Sequence, residues 1–134
     1  MKKLILALAV TAFVTPAFAN MDLPPAKYDI GGATIEEAVA NYVKVFPDAS
    51  IQAVPLGQAQ EACDVIAKRV WGYPRWPSDA TAANGKILYG CSTQGAAVPD
   101  IVYSYDYSQP WLALQIFRHE AGHILGWPEW HPQN

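Results

Sequence analysis

Residues 101–126 read IVYSYDYSQPWLALQIFRHEAGHILG. Ile101, Tyr103, Tyr105 and Tyr107 alternate with Val102, Ser104 and Asp106, the period of two expected of a strand with one covered face. Ser108 and Gln109 break that period and Pro110 suits a first helical turn. Trp111, Leu114, Phe117, Ala121 and Leu125 then recur at helical spacing until Gly126. A strand that runs directly into an amphipathic helix points to a mixed α/β domain.

The chain upstream carries the same kind of signals. Thr34-Ile35-Glu36-Glu37 fits a capping box, and Ile35, Ala38, Val39, Tyr42, Val43 and Phe46 keep helical spacing until Pro47 stops the run. Ser50–Leu56 reads as a strand closed by Pro55 and Gly57, and Ala59, Ala62, Cys63, Ile66 and Val70 predict a second helix. Lys27–Ile30 and Lys86–Tyr89 are further strand expectations. The segment from Trp71 to Gly85 holds Gly72, Pro74, Pro77, Asn84 and Gly85, and so reads as an irregular loop. Its Trp71, Tyr73 and Trp76 either pin the loop to the core or line a recognition surface. The fold class expected is α/β (α+β), with two or three helices packed on a small mixed sheet and no internal repeat.

With 134 residues, 51% of them hydrophobic and 16% charged, the chain is neither disordered nor large enough for two ordinary domains. Its formal net charge is −3, and Lys and Arg are scattered, so nucleic acid is not expected as a partner. Lys2 and Lys3 precede an apolar run from Leu4 to Val14, and Thr15-Pro16-Ala17-Phe18-Ala19 follows with small residues at the cleavage spacing. Residues 1–19 therefore read as a signal peptide and residues 20–134 as the exported domain. The apolar run is about half of the roughly 20 residues that a membrane-spanning helix needs, so no stable membrane anchor is expected. Asn20, not Cys, follows the cut, which gives no sign of lipid attachment there. Export to a periplasm or to the medium is oxidising, and the only two cysteines, Cys63 and Cys91, are expected to pair. Closing the loop between them stabilises the fold by roughly 3 to 4 kcal/mol on the chain-entropy model.

The chemistry lies in His119-Glu120-Ala121-Gly122-His123. Residues four apart stand one turn above each other on a helix, so both imidazoles can reach one ion while Glu120 reaches its water. Zinc lowers the pKa of such a water towards about 7, and a carboxylate in that place can take the proton and return it to the leaving amine. All three histidines of the chain, His119, His123 and His131, fall at or after position 119, which favours a shared role over scattered packing.

Extended to Glu129, the stretch resembles the metzincin metallopeptidases, whose pattern is His-Glu-x-x-His-x-x-Gly-x-x-His or Asp. His119, Glu120, His123 and Gly126 match, and Glu129 stands at the third-ligand position. More narrowly, this C-terminal stretch is similar to the small secreted neutral peptidases of the snapalysin type, and upstream of it the likeness is one of element order. The resemblance implies a minimal zincin domain with its active-site helix near the C-terminus, one Zn2+ per chain, and a peptide or protein substrate. It further implies that the strand before the motif helix is a sheet edge to which an extended substrate adds.

The sequence departs from the family at three points. Glu129 replaces His or Asp, and His131 competes with it as the third ligand. The only methionines are Met1 and Met21, so the methionine turn of the family has no counterpart after the motif. The tyrosine that the family supplies from that segment must be replaced, with Tyr103, Tyr105 and Tyr107 as candidates for stabilising charge on the substrate. Asp106 is a candidate to orient a histidine, or else a simple exposed strand charge. The leading expectation is thus an exported zinc endopeptidase with Glu120 as general base and acid. The alternatives are a non-catalytic exported module that keeps the zinc for stability or partner binding, and an exported domain without metal.

Overall fold

The computed structural model describes residues 22–76 and 87–129, and the expected signal peptide, Lys86 and His131 lie outside them. Among the described residues three helices surround a three-stranded mixed sheet, in the order α1 (Ile35–Val45), β1 (Ser50–Pro55), α2 (Ala59–Trp71), β2 (Gly90–Ser92), β3 (Asp100–Tyr105) and α3 (Pro110–Ile124). The α/β class read from the sequence is the one observed.

Local chemistry accounts for the helix boundaries. At the start of α1 the Thr34 hydroxyl accepts from the Glu37 amide at 3.1 Å, and the Glu37 carboxylate accepts from the Ala33 amide at 2.8 Å. Helix α2 ends where Gly72 takes φ +85°, a left-handed value that costs glycine nothing. Before α3, Asp106 accepts from the Ser108 amide and hydroxyl and from the Gln109 side chain. These donors hold the Asp106 carboxyl below the usual carboxylate range and end β3 at Tyr105, short of the expected Tyr107.

The sheet order is β1-β3-β2, with β3 parallel to β1 and antiparallel to β2. Ile101 packs with Ala38, Tyr42, Phe117 and Ala121 on the face covered by α1 and α3. On the other face Val102 packs with Val54, Ala59, Cys63, Ile66 and Cys91 under α2. The alternation in β3 therefore corresponds to two covered faces and not one. Ser104 is tolerated in the interior because its hydroxyl donates to the Tyr89 carbonyl at 2.6 Å.

Two expected strands need correction. Around Lys27–Ile30 the chain instead forms a 3₁₀ turn over Ala26–Tyr28, where the Tyr28 amide donates to the Pro25 carbonyl at 2.8 Å. The strand expected at Lys86–Tyr89 begins only at Gly90, which has room for no side chain. A Cβ there would stand 2.5 Å from the Val102 carbonyl oxygen and 2.9 Å from the Ile116 Cγ2, so glycine lets α3 pack closely on β2.

The Cys63–Cys91 disulfide is present, with Cα atoms 6.2 Å apart, and it ties α2 to β2. No helix among the described residues is long and apolar enough to cross a membrane. Trp71 and Trp76 meet edge to face at 5.8 Å, and Trp76 packs on the α2 side of the core while Tyr73 is exposed. Replacing both cysteines by alanine is expected to lower stability by roughly 3 kcal/mol while the far-ultraviolet circular dichroism stays that of the wild type. Denaturant unfolding of the two proteins side by side measures it, and equal midpoints would remove the disulfide from the account.

Candidate metal centre

Helix α3 has two buried flanks. Leu112, Ile116, Phe117 and Ala121 belong to the apolar core, whereas His119, Glu120 and His123 are just as buried, at 6%, 7% and 7% exposure. Buried polar side chains need hydrogen-bond partners, and main-chain groups supply two of them. His119 Nδ1 donates to the Asp22 carbonyl at 2.5 Å, and His123 Nδ1 donates to the Trp127 carbonyl at 3.0 Å.

A carbonyl only accepts, so in each neutral ring the proton sits on Nδ1 and the lone pair on Nε2. The two Nε2 atoms stand 3.3 Å apart. Two neutral rings so arranged repel through their lone pairs, and either a proton shared between the Nε2 atoms or a metal cation removes that repulsion. A tetrahedral zinc with two nitrogen ligands at 2.0–2.1 Å holds those nitrogens about 3.3–3.4 Å from one another. The spacing and the outer hydrogen bonds would suit two of the ligands of a zinc ion.

The end of α3 builds half of this arrangement. Gly126, at φ +113°, turns the chain back, the Gly126 amide bonds the His123 carbonyl at 3.1 Å, and the Trp127 amide bonds the Gly122 carbonyl at 2.9 Å. These two bonds form a Schellman motif, which bears out the helix end expected at Gly126. The motif delivers Trp127 onto the imidazoles. Its indole stacks on His123 with centroids 5.0 Å apart and meets His119 edge-on at the same distance. Its carbonyl takes a second bond from Gln94 at 3.1 Å.

Glu120 lies beneath, against β2. Burial pushes its carboxyl up to about 8, a hydrogen bond from Ser92 pulls it down, and the charge of Glu129 raises it further. A cation bound beside it would act in the opposite sense to burial and favour the carboxylate.

Among the described residues no third His, Cys, Asp or Glu joins the two imidazoles. Glu129 instead accepts from Arg75 at 3.0 Å, and Arg75 in turn stacks over Trp71 at 4.5 Å. His131 lies outside the described residues.

The other expected site residues stand elsewhere. β3 is the central strand, hydrogen-bonded on both sides, so it is not the sheet edge that the resemblance implied; among the described strands β1 and β2 are the outer ones. Tyr103 packs edge-on to Phe117 at 5.5 Å, and burial followed by the Glu36 charge raises its pKa. Tyr105 pairs with Tyr107 at 5.2 Å, and Tyr107 is 89% exposed. Asp106 caps the turn before α3, so the carbonyls of Asp22 and Trp127 orient the histidines in its place.

No family model, curated protein or solved structure matches this chain. Its chemistry has to be read from the geometry.

Asp22, Pro24 and Trp127, which the fold brings to the motif, carry no functional signal in the sequence. The readable trace was the pairing of Gly122 and Gly126 around His123. Gly126 allows the turn, and a Cβ on Gly122 would meet Pro24 at 2.8 Å and Trp127 at 3.1 Å.

Arg118, on the same helix, is held by Asp29 through two bonds, one from Nε at 3.0 Å and one from Nη2. This pairing is the chief reason the Asp29 carboxyl titrates below its usual 3.8. A lowered folded-state pKa stabilises fully above pH 3.8, and the contribution is lost as pH falls through the lower folded value. Asp29→Asn is therefore expected to cost about 1–2 kcal/mol at pH 7, with the gap from wild type closing in acid. Unfolding midpoints across pH 2–7 measure the gap, and a pH-independent difference would contradict the assignment.

Proposed function

We propose that the chain is an exported, zinc-dependent peptidase whose centre is built on His119, Glu120 and His123. The observation that carries the reading is the 3.3 Å approach of the two Nε2 atoms with both Nδ1 protons committed to main-chain carbonyls. The donor set suits zinc, since neutral imidazole is among its preferred ligands and the spacing matches its tetrahedral bite.

When bound, the ion supplies Lewis acidity that lowers the pKa of water and polarises a carbonyl. Glu120, adjacent in sequence to His119, then takes a proton from the attacking water and returns it to the leaving amine. Ser92, on the short strand β2, bonds Glu120. In this reading β2, an outer strand among those described, is the strand nearest the base in place of β3. The disulfide anchors that strand to α2 and agrees with an oxidising, exported setting.

Two donors compete for the third position, Glu129 after release from Arg75 and His131. A second reading, a non-catalytic zinc module, draws on the 6–7% exposure of the motif side chains, because structural zinc sites are closed. The two differ in outcome. Under the peptidase reading the wild type binds one zinc per chain and cleaves peptides from a diverse library. Glu120→Gln keeps the zinc and loses at least about 10²-fold in turnover. Hydrolysis undiminished in Glu120→Gln would overturn the mechanism; zinc binding that raises the melting temperature without any turnover would establish the module instead.

For the third ligand, Glu129→Ala and His131→Ala are compared by zinc titration against a chromophoric chelator. The true ligand is expected to cost at least about 10-fold in affinity and the bystander less than about 2-fold. Equal, small effects would exclude both residues.

A further inference from the structure

The segment that precedes α1 runs along α3 and touches it at successive turns. The Asp22 carbonyl holds His119, the buried Pro24 ring lies where a Cβ on Gly122 would stand, Tyr28 borders Gly126, and Asp29 pairs with Arg118. Only the first of these contacts bears on the metal centre directly. The others fix where that carbonyl sits. A side chain on residue 122 would force Pro24 away, so the glycine inside the motif is the seat of the segment.

We infer that Asp22–Pro24 is a positioning element of the metal centre, which sets the tautomer and orientation of His119 through the Asp22 main-chain carbonyl. The inference deepens the zinc reading and rests on it for the role of His119. Without that carbonyl the Nδ1 proton of His119 loses its acceptor, and the tautomer with the proton on Nε2, the atom that faces His123, gains population. His123 keeps its own acceptor within the Schellman motif, so the two ligands depend on different parts of the chain. One half of the histidine pair is local to α3 and the other is delivered across about a hundred residues of sequence, with Asp22 and His119 separated by 97 positions.

The test replaces Pro24, because a main-chain carbonyl cannot be substituted. Pro24→Gly removes the ring that seats the segment, with Pro24→Ala as the milder variant should the first fail to fold. An Ile66→Ala protein serves as a control destabilised at a distant place, in the core under α2 on the face of the sheet away from α3. Two readouts are taken: the side-chain ¹⁵N shifts of His119 in metal-free protein, which report its tautomer, and the zinc affinity by chelator competition. Wild type and the Ile66→Ala control are expected to hold His119 as the Nδ1–H form. The Pro24 variants are expected to shift it towards Nε2–H and to bind zinc about 10- to 100-fold more weakly, the usual consequence of losing an outer-sphere partner.

Pro24 variants with the wild-type tautomer and wild-type affinity would overturn the inference, as would an equal loss of affinity in the Ile66→Ala control. A wild type that binds no zinc overturns the metal reading of the centre instead. The tautomer comparison still decides by itself whether the segment positions His119.

Discussion

Burying His119, Glu120 and His123 on one helix is the constraint around which the rest of the molecule is arranged. Leaving such groups without partners costs about 1–3 kcal/mol each, and more for a charge, so each needs an acceptor or donor brought to it. A helix cannot supply them from its own backbone, whose groups are engaged in the i to i+4 ladder. The partners arrive from three directions: the Asp22 carbonyl from the leading segment, the Trp127 carbonyl from the turn after Gly126, and Ser92 from β2. Each delivery has its own structural requirement. The leading segment needs the space left by Gly122, the turn needs a positive φ at Gly126, and β2 needs Gly90 so that α3 can approach.

The apolar flank of α3 makes this arrangement affordable. Ile116, Phe117 and Ala121 lock the helix against β3 and α1, and the Tyr42 and Tyr103 rings both meet Phe117 edge to face at 5.5 Å. A helix held rigidly on one side can present the other at a fixed height. That rigidity is what turns an i, i+4 histidine pair, common on mobile surfaces, into two nitrogens at a set separation.

What could be read from the sequence follows the range of the interactions involved. The capping box at Thr34, the stop at Gly126 and the pairing of Cys63 with Cys91 all have side chains or a glycine as local markers, and they stand as read. The motif residues share one helix, so periodicity alone predicted that His119 and His123 would meet. Strand order is a different matter. Nothing in the alternation of Ile101–Tyr107 distinguishes an edge from a centre, because the pairing partners lie some 50 residues upstream in β1 and about ten in β2, and Ser104 mimics a solvent-facing position while bonding Tyr89. Main-chain carbonyls are equally silent. Every residue has one, so Asp22 and Trp127 could not be singled out as acceptors before the fold brought them to the rings.

The Arg75–Glu129 pair bears on whether Glu129 can serve the centre at all. Both side chains are partly exposed, at 36% and 43%, and an ion pair of that kind is worth about 0–1 kcal/mol after solvent screening. A metal–carboxylate bond that completes a zinc site exceeds this easily, since structural zinc sites bind with about 10–16 kcal/mol in total over a few ligands. Arg75 is thus a weak competitor, not a barrier. The stacking of its guanidinium on Trp71 gives it a second place to rest once the carboxylate leaves. Glu129 therefore stays eligible as the third ligand despite its pairing in this structure. Its charge already raises the Glu120 pKa, so a cation bound beside Glu120 would lower the energy of both carboxylates at once.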